Sequence, residues 1–71
     1  MGKLTVLKKF REERQMSQAQ LGQEIGVAAE TVYRWERGSR KIDLDLLPAV
    51  AKFTGIARDE LRPDLARVMA Q

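Results

Sequence analysis

The chain contains no cysteine and no histidine. A disulfide framework, thiolate chemistry and a zinc finger are thereby excluded, and a reducing cytoplasm is the natural compartment. There is no recognisable secretion signal, and no apolar run approaches membrane-spanning length. Carboxylates are not grouped at metal-ligand spacing, so neither a metal nor a cofactor is expected. A nucleophile would have to be Ser17, Ser39, Thr5, Thr31, Thr54 or a lysine, each better explained by a cap, a loop or the surface. An enzyme is therefore not expected. Seventy-one residues suit one domain, close to the lower limit at which a single core holds a fold without staples. Thirteen Lys and Arg against ten Asp and Glu leave a net +3, a balance that permits nucleic-acid binding without requiring it.

What is present is concentrated between Ser17 and Gly38, in SQAQLGQEIGVAAETVYRWERG. Ser17 precedes Gln20 by three residues, the spacing of a capping box, with Met16 and Leu21 placed as a hydrophobic staple. Ala19, Leu21, Gly22 and Ile25 are expected on the inner side of a helix about two turns long, ended at Gly26 by a residue free to take positive φ. Gly22 in mid-helix costs about 1 kcal/mol relative to Ala, which makes sense if another helix crosses close to it. A second helix follows the turn at Gly26 and Val27 and ends at Gly38. Val32 and Trp35 share its buried stripe, while Ala29, Glu30, Tyr33, Arg34 and Arg37 lie on the opposite side. A solvated face in an ordinary bundle and a face free to enter a major groove both fit that pattern.

Residues from Leu7 to about Leu61 resemble the DNA-binding domain of the phage-repressor and Cro-like, XRE-type helix-turn-helix family. Ser17-Gln18, Leu21-Gly22, Ile25-Gly26-Val27 and Trp35-Glu36-Arg37-Gly38 carry the likeness. The resemblance implies an all-α bundle of five short helices with a central helix-turn-helix, and sequence-specific binding of double-stranded DNA. It also implies that Arg11 on the first helix pairs with Glu36, that Gln18 contacts a phosphate, and that Ala29, Glu30 and Arg34 read base edges. Tyr33 and Thr31 flank those three. By groove chemistry, Arg34 suits guanine O6 and N7, Glu30 a cytosine amine, and Ala29 a thymine methyl. Ser17 and Gln18 stand where a helix dipole and unpaired N–H groups favour a phosphate. Two departures stand out: Ala28 supplies no capping oxygen where the family often has Ser or Thr, and Glu30 brings negative charge close to phosphates.

Around this motif, the segment from Thr5 to about Gln15 reads as a first helix with Leu4, Leu7, Phe10, Arg11 and Arg14 along one stripe. Arg37, Ser39, Arg40 and Lys41 are placed to meet phosphates. Asp43 or Asp45 is expected to cap a helix from Leu44 or Leu46 to Thr54, with Pro48 in its first turn and Leu46, Leu47, Val50, Ala51, Phe53 and Thr54 on its apolar side. Gly55 ends that helix, and a short helix from about Ala57 to Leu61 completes a core spanning about residues 4–61. In the tail, 62–71, Leu65, Val68 and Met69 make an apolar edge that needs a partner: its own domain, a second chain, or none if it frays. The resemblance favours a homodimer, with Leu61, Leu65, Val68 and Met69 as contact candidates.

The reading is a cytoplasmic, Cro-like repressor from a bacterium or phage, binding a two-fold operator and controlled by its abundance or by partners. The rival is a small antitoxin or co-repressor that uses the same fold to hold a protein such as a toxin or an anti-repressor. The segment ARDELRPDLA has some likeness to small Cro-like regulators of the antitoxin kind.

Overall fold

The computed structural model describes residues 4–65. Five helices lie wholly within them, α1 (Thr5–Glu13), α2 (Gln18–Ile25), α3 (Ala29–Arg37), α4 (Leu47–Thr54) and α5 (Arg58–Leu61), and residues 63–65 are helical as well. The fold is the expected all-α bundle, with α2 and α3 as its central helix-turn-helix. Leu4, Leu7, Leu21, Val32, Trp35, Ile42, Leu47, Val50 and Leu61 form the buried core, so helices α1 to α5 and the loop before α4 contribute to it. None of the described helices is long and apolar enough to cross a membrane.

Helix α1 stops two residues before the expected Gln15, and the reason is a backbone motif with no glycine to announce it. Gln15 takes a left-handed φ of 56°, while Gln15 N–H donates to the Glu12 carbonyl (3.1 Å) and Met16 N–H to the Arg11 carbonyl (3.0 Å). These are the two bonds of a Schellman ending, here with Gln where Gly is usual. At the other end, the Leu4 N–H donates to the carbonyl of Glu36 at 3.1 Å, tying the start of α1 to the end of α3.

Helix α2 begins with the capping box: Gln20 N–H donates to Ser17 Oγ at 3.0 Å, and Ser17 N–H to Gln20 Oε1 at 2.8 Å. Leu21 and Gly22 are buried and Ile25 half-buried, but Ala19 is exposed, contrary to expectation. Two residues of helix turn the chain by about 200°, which puts Ala19 on the far side from Leu21. Gly22 is small because the turn and the start of α3 come close to it, at Val27 and Ala28. A Cβ there would stand 2.5 Å from the carbonyl oxygen of Val27, so the backbone of the turn itself occupies the space. The Gly22 carbonyl in turn accepts from the N–H groups of Gly26 (2.7 Å) and Val27 (2.8 Å), folding the turn back onto α2.

Helix α4 starts at Leu47 with Pro48 in its first turn, and neither Asp43 nor Asp45 caps it through a side chain. The Asp43 carbonyl does that work, accepting from the N–H groups of Leu46 and Leu47, each at 3.0 Å. Ile42, in the stretch leading to α4, is fully buried. Leu44 beside it is 60% exposed, and Phe53 is partly exposed, meeting Phe10 edge-on with ring centroids 6.0 Å apart. Thr54 is buried, its Oγ1 donating to the Val50 carbonyl (2.7 Å) and accepting from Ile56 N–H (3.1 Å).

The dimer candidates fare unequally. Leu61 is 1% exposed, a core residue of its own chain, and is not available to a second one. Leu65 is half-buried against that core. Val68 and Met69 lie outside the described residues.

Candidate nucleic-acid interface

Helix α3 has an inner and an outer side, and its sequence decides which is which. Val32 and Trp35, three apart, are fully buried, and Glu36 beside Trp35 is buried with them. A buried carboxylate has to be matched. Arg11 of α1 matches it with two parallel bonds, Nε to Oε2 at 2.8 Å and Nη2 to Oε1 at 3.1 Å. Its remaining edge is used as well, Nη1 donating to the Met16 carbonyl at 3.0 Å. The hydrogen bond to Glu36 raises the Arg11 guanidinium above its ordinary range although burial opposes it. One side chain thus joins α1, the chain just ahead of α2, and the end of α3.

Gln18, at the first position of α2, is the third member of this group. Its Nε2 donates to Glu36 Oε1 at 3.1 Å, so the amide expected to meet a phosphate is turned toward the ion pair. What α2 leaves open for an anion is its amino end, where unpaired N–H groups and the positive pole of the dipole lie. The Ser17 hydroxyl already accepts the capping bond from Gln20.

On the other side of α3, Tyr33 is 46% exposed, and Glu30, Arg34 and Arg37 are exposed with it. Ala29 and Thr31 are half-buried near the start of the helix, whose first residue follows Ala28 without any side-chain cap. Arg34 Nη2 donates to Glu30 Oε2 at 2.9 Å, with the arginine side chain 50% and the glutamate 70% exposed. Arg37 Nη1 donates to the Tyr33 hydroxyl at 3.0 Å, and its guanidinium carbon stands 5.5 Å from the centre of the Tyr33 ring. The outer face therefore carries two pairs, each one helical turn long.

The loop after α3 winds around the Arg34 carbonyl, which accepts from the N–H groups of Gly38, Ser39 and Arg40. Ser39 Oγ also points there, at 3.4 Å, a long contact for a hydroxyl on an exposed side chain. Arg40 and Lys41 are exposed, Arg40 lying 3.4 Å from Asp43 and Lys41 3.8 Å from Asp64. Loose, solvated pairs of this kind exchange one partner for another at little cost.

Sequence reasoning did not place Lys8 or Thr5 at this face. Both line an open cleft of about 460 Å³ together with Arg11, Gln18, Tyr33, Glu36 and Arg37, between α1, the start of α2 and the outer end of α3. Thr5, Lys8 and Arg11 are spaced by three, which places them along one side of α1 and was the available signal. Glu36 is already matched by Arg11 and Gln18, so Lys8 and Arg37 dominate the charge at the cleft's rim.

A family model described as helix-turn-helix matches residues 7–61. No curated protein and no solved structure matches the chain.

Proposed function

We propose, for a chain that belongs to the XRE-type helix-turn-helix family of DNA-binding transcription regulators, that it is a Cro-like repressor which inserts α3 into the major groove of a two-fold operator. One observation carries the reading: Tyr33 and Arg34 face outward while Val32 and Trp35, on the same helix, are fixed in the core. A helix held in this way can present side chains to base edges without bending or melting.

The roles follow from position. Glu30, Arg34 and Ala29 read bases, with Tyr33 and Thr31 beside them. The amino end of α2 at Ser17 and Gln18 receives a phosphate. Arg37, Arg40 and Lys41, joined by Lys8 of the cleft, neutralise further phosphates and set the protein's register on the duplex. Ser39, exposed beside Arg40, donates to a further phosphate. Two copies on a palindrome place their reading helices about one duplex turn, roughly 34 Å, apart. Of the contact candidates, Leu65 is half-buried against its own chain and Leu61 is committed to the core.

Selection of bound sites from random duplex DNA tests all of this together, since a recovered palindrome reports preference, symmetry and spacing. Arg34→Ala is expected to weaken the best site by about 1–3 kcal/mol and relax one base position, whereas Lys41→Ala weakens all sequences alike and lowers the salt slope by about one. A chain that works by holding a protein would retard no duplex at low ionic strength. Its affinity for that protein would depend only shallowly on salt.

A further inference from the structure

We infer that Glu30 and Arg34 form one reading unit, in which Glu30 sets specificity by rejection: Arg34 takes a guanine, and Glu30 admits only an amino-bearing base, cytosine or adenine, at the neighbouring step. The inference rests on the proposal that α3 enters the major groove and gives that site its sequence class.

The geometry supplies the argument. The bond from Arg34 Nη2 to Glu30 Oε2, 2.9 Å long, spans one turn of the outer face, with the acid four residues before the base. That is the favourable order for such a pair on a helix. A guanidinium has five donors in one plane. One is given to Glu30, and the rest still include two parallel donors for guanine O6 and N7. The partner bond restrains the fork, so less rotamer freedom is lost when it meets the base.

The carboxylate has the opposite constraint. An ionised Glu accepts and never donates, and no hydrogen bond of Glu30 Oε1 is made within the described residues. In the groove, that oxygen is matched by cytosine N4 or adenine N6. Against guanine O6 or thymine O4 it sets a charge beside a lone pair, in a place where water is excluded. The repulsion between Glu30 and nearby phosphates is partly cancelled by Arg34, so the pair discriminates without adding net charge. Exposed pairs of this kind contribute little to folding, so stability does not account for a carboxylate on a face that meets a polyanion.

Glu30→Gln tests the assignment, because it keeps an acceptor for Arg34 while removing the charge and adding a donor. Bound sites are selected with the wild type, Glu30→Gln and Arg34→Ala, and each protein is titrated against its best site and against random duplex. Glu30→Gln is expected to bind random duplex several-fold more tightly. The ratio of best-site to random affinity should fall about tenfold, with the step beside Arg34's guanine losing its bias against guanine and thymine. If Glu30→Gln changes that ratio by less than about twofold while Arg34→Ala collapses it, Arg34 reads alone. The inference is then overturned and the groove reading survives. If the wild type itself binds no duplex, the groove reading falls first and takes the inference with it.

Discussion

Two arginine–glutamate pairs share helix α3, one at its inner edge and one on its outer face. Arg11 and Glu36 are separated by 25 residues in sequence, and their side chains are only 14% and 6% exposed. Glu30 and Arg34 are one turn apart and are 50% to 70% exposed. The chemistry is the same and the surroundings differ, and the surroundings assign the roles. A buried pair cannot change partners, because a charge left behind in the core has no water to turn to. It can only fix where three segments stand relative to one another. An exposed pair is reachable from outside, and the donors and the acceptor that it leaves unshared can meet base edges. The inner pair builds the platform from which the outer pair is presented.

The comparison breaks most readily at Arg11. Arg11→Met strands the Glu36 carboxylate and is expected to cost about 3 kcal/mol or more, lowering the melting midpoint by more than about 10 °C in a chain of this size. Lys9→Met, on the exposed side of α1, should stay within about 0.5 kcal/mol of the wild type. Equal melting temperatures for the two variants would remove the distinction between inner and outer pairs.

Next in size is the contact that sets α3 against α2. Gly22→Ala gains about 1 kcal/mol of helix propensity, yet its Cβ would stand 2.5 Å from the Val27 carbonyl, which is backbone and cannot swing aside. Overpacking of that kind costs about 1–3 kcal/mol, so a net loss is expected in chemical denaturation. A stabilised Gly22→Ala would mean that the turn gives way freely and that the platform is less rigid than the inner pair implies.

These sites also show what the chain discloses before it is folded. The capping box at Ser17 and Gln20, the glycine stops at Gly26, Gly38 and Gly55, and the Val32–Trp35 stripe were legible because each is a local pattern with a local cause. The end of α1 was not, since Gln15 takes the left-handed position without a glycine to mark it. Ile42 was missed because one apolar residue between Lys41 and Asp43 has no periodicity to place it. It is held by a distant group, the Arg62 Nη1 that donates to its carbonyl at 2.7 Å. Within the candidate site, the outward set Glu30, Tyr33, Arg34 and Arg37 followed from helical spacing. The turning of Gln18 toward Glu36 did not, because it depends on which acceptor the folded chain brings near.

On the outer face, the same logic expects a small effect on folding. Arg34→Ala should leave stability within about 0.5 kcal/mol of the wild type, since the pair it breaks is solvated and local. The loss should appear in DNA binding instead. A drop in melting temperature as large as that of Arg11→Met would show that the outer pair is structural, and the division of roles along α3 would fail.

A third pair, Arg62 with Asp64, lies between these extremes and sharpens the comparison most finely. Arg62 is 13% and Asp64 38% exposed, with two bonds at 2.9 and 2.7 Å. Hydrogen bonding to Arg62 holds the Asp64 carboxyl at about 2, below its ordinary 3.8, with Lys41 adding a smaller pull. A carboxyl lowered on folding contributes fully above its unfolded value and loses that contribution as protons are taken up below it. The stability difference between wild type and Asp64→Asn should therefore be constant at neutral pH. It should shrink as pH falls from 3.8 toward about 2. Half-exposure of the acid makes this the smallest effect expected, and urea midpoints measured at steps through that range would read it. If the two proteins kept a constant separation down to the acid limit, the pair would be as idle as an ordinary surface contact. Arg62 would then be held in place by its bond to the Ile42 carbonyl alone, and only the buried Arg11–Glu36 pair would count as part of the platform.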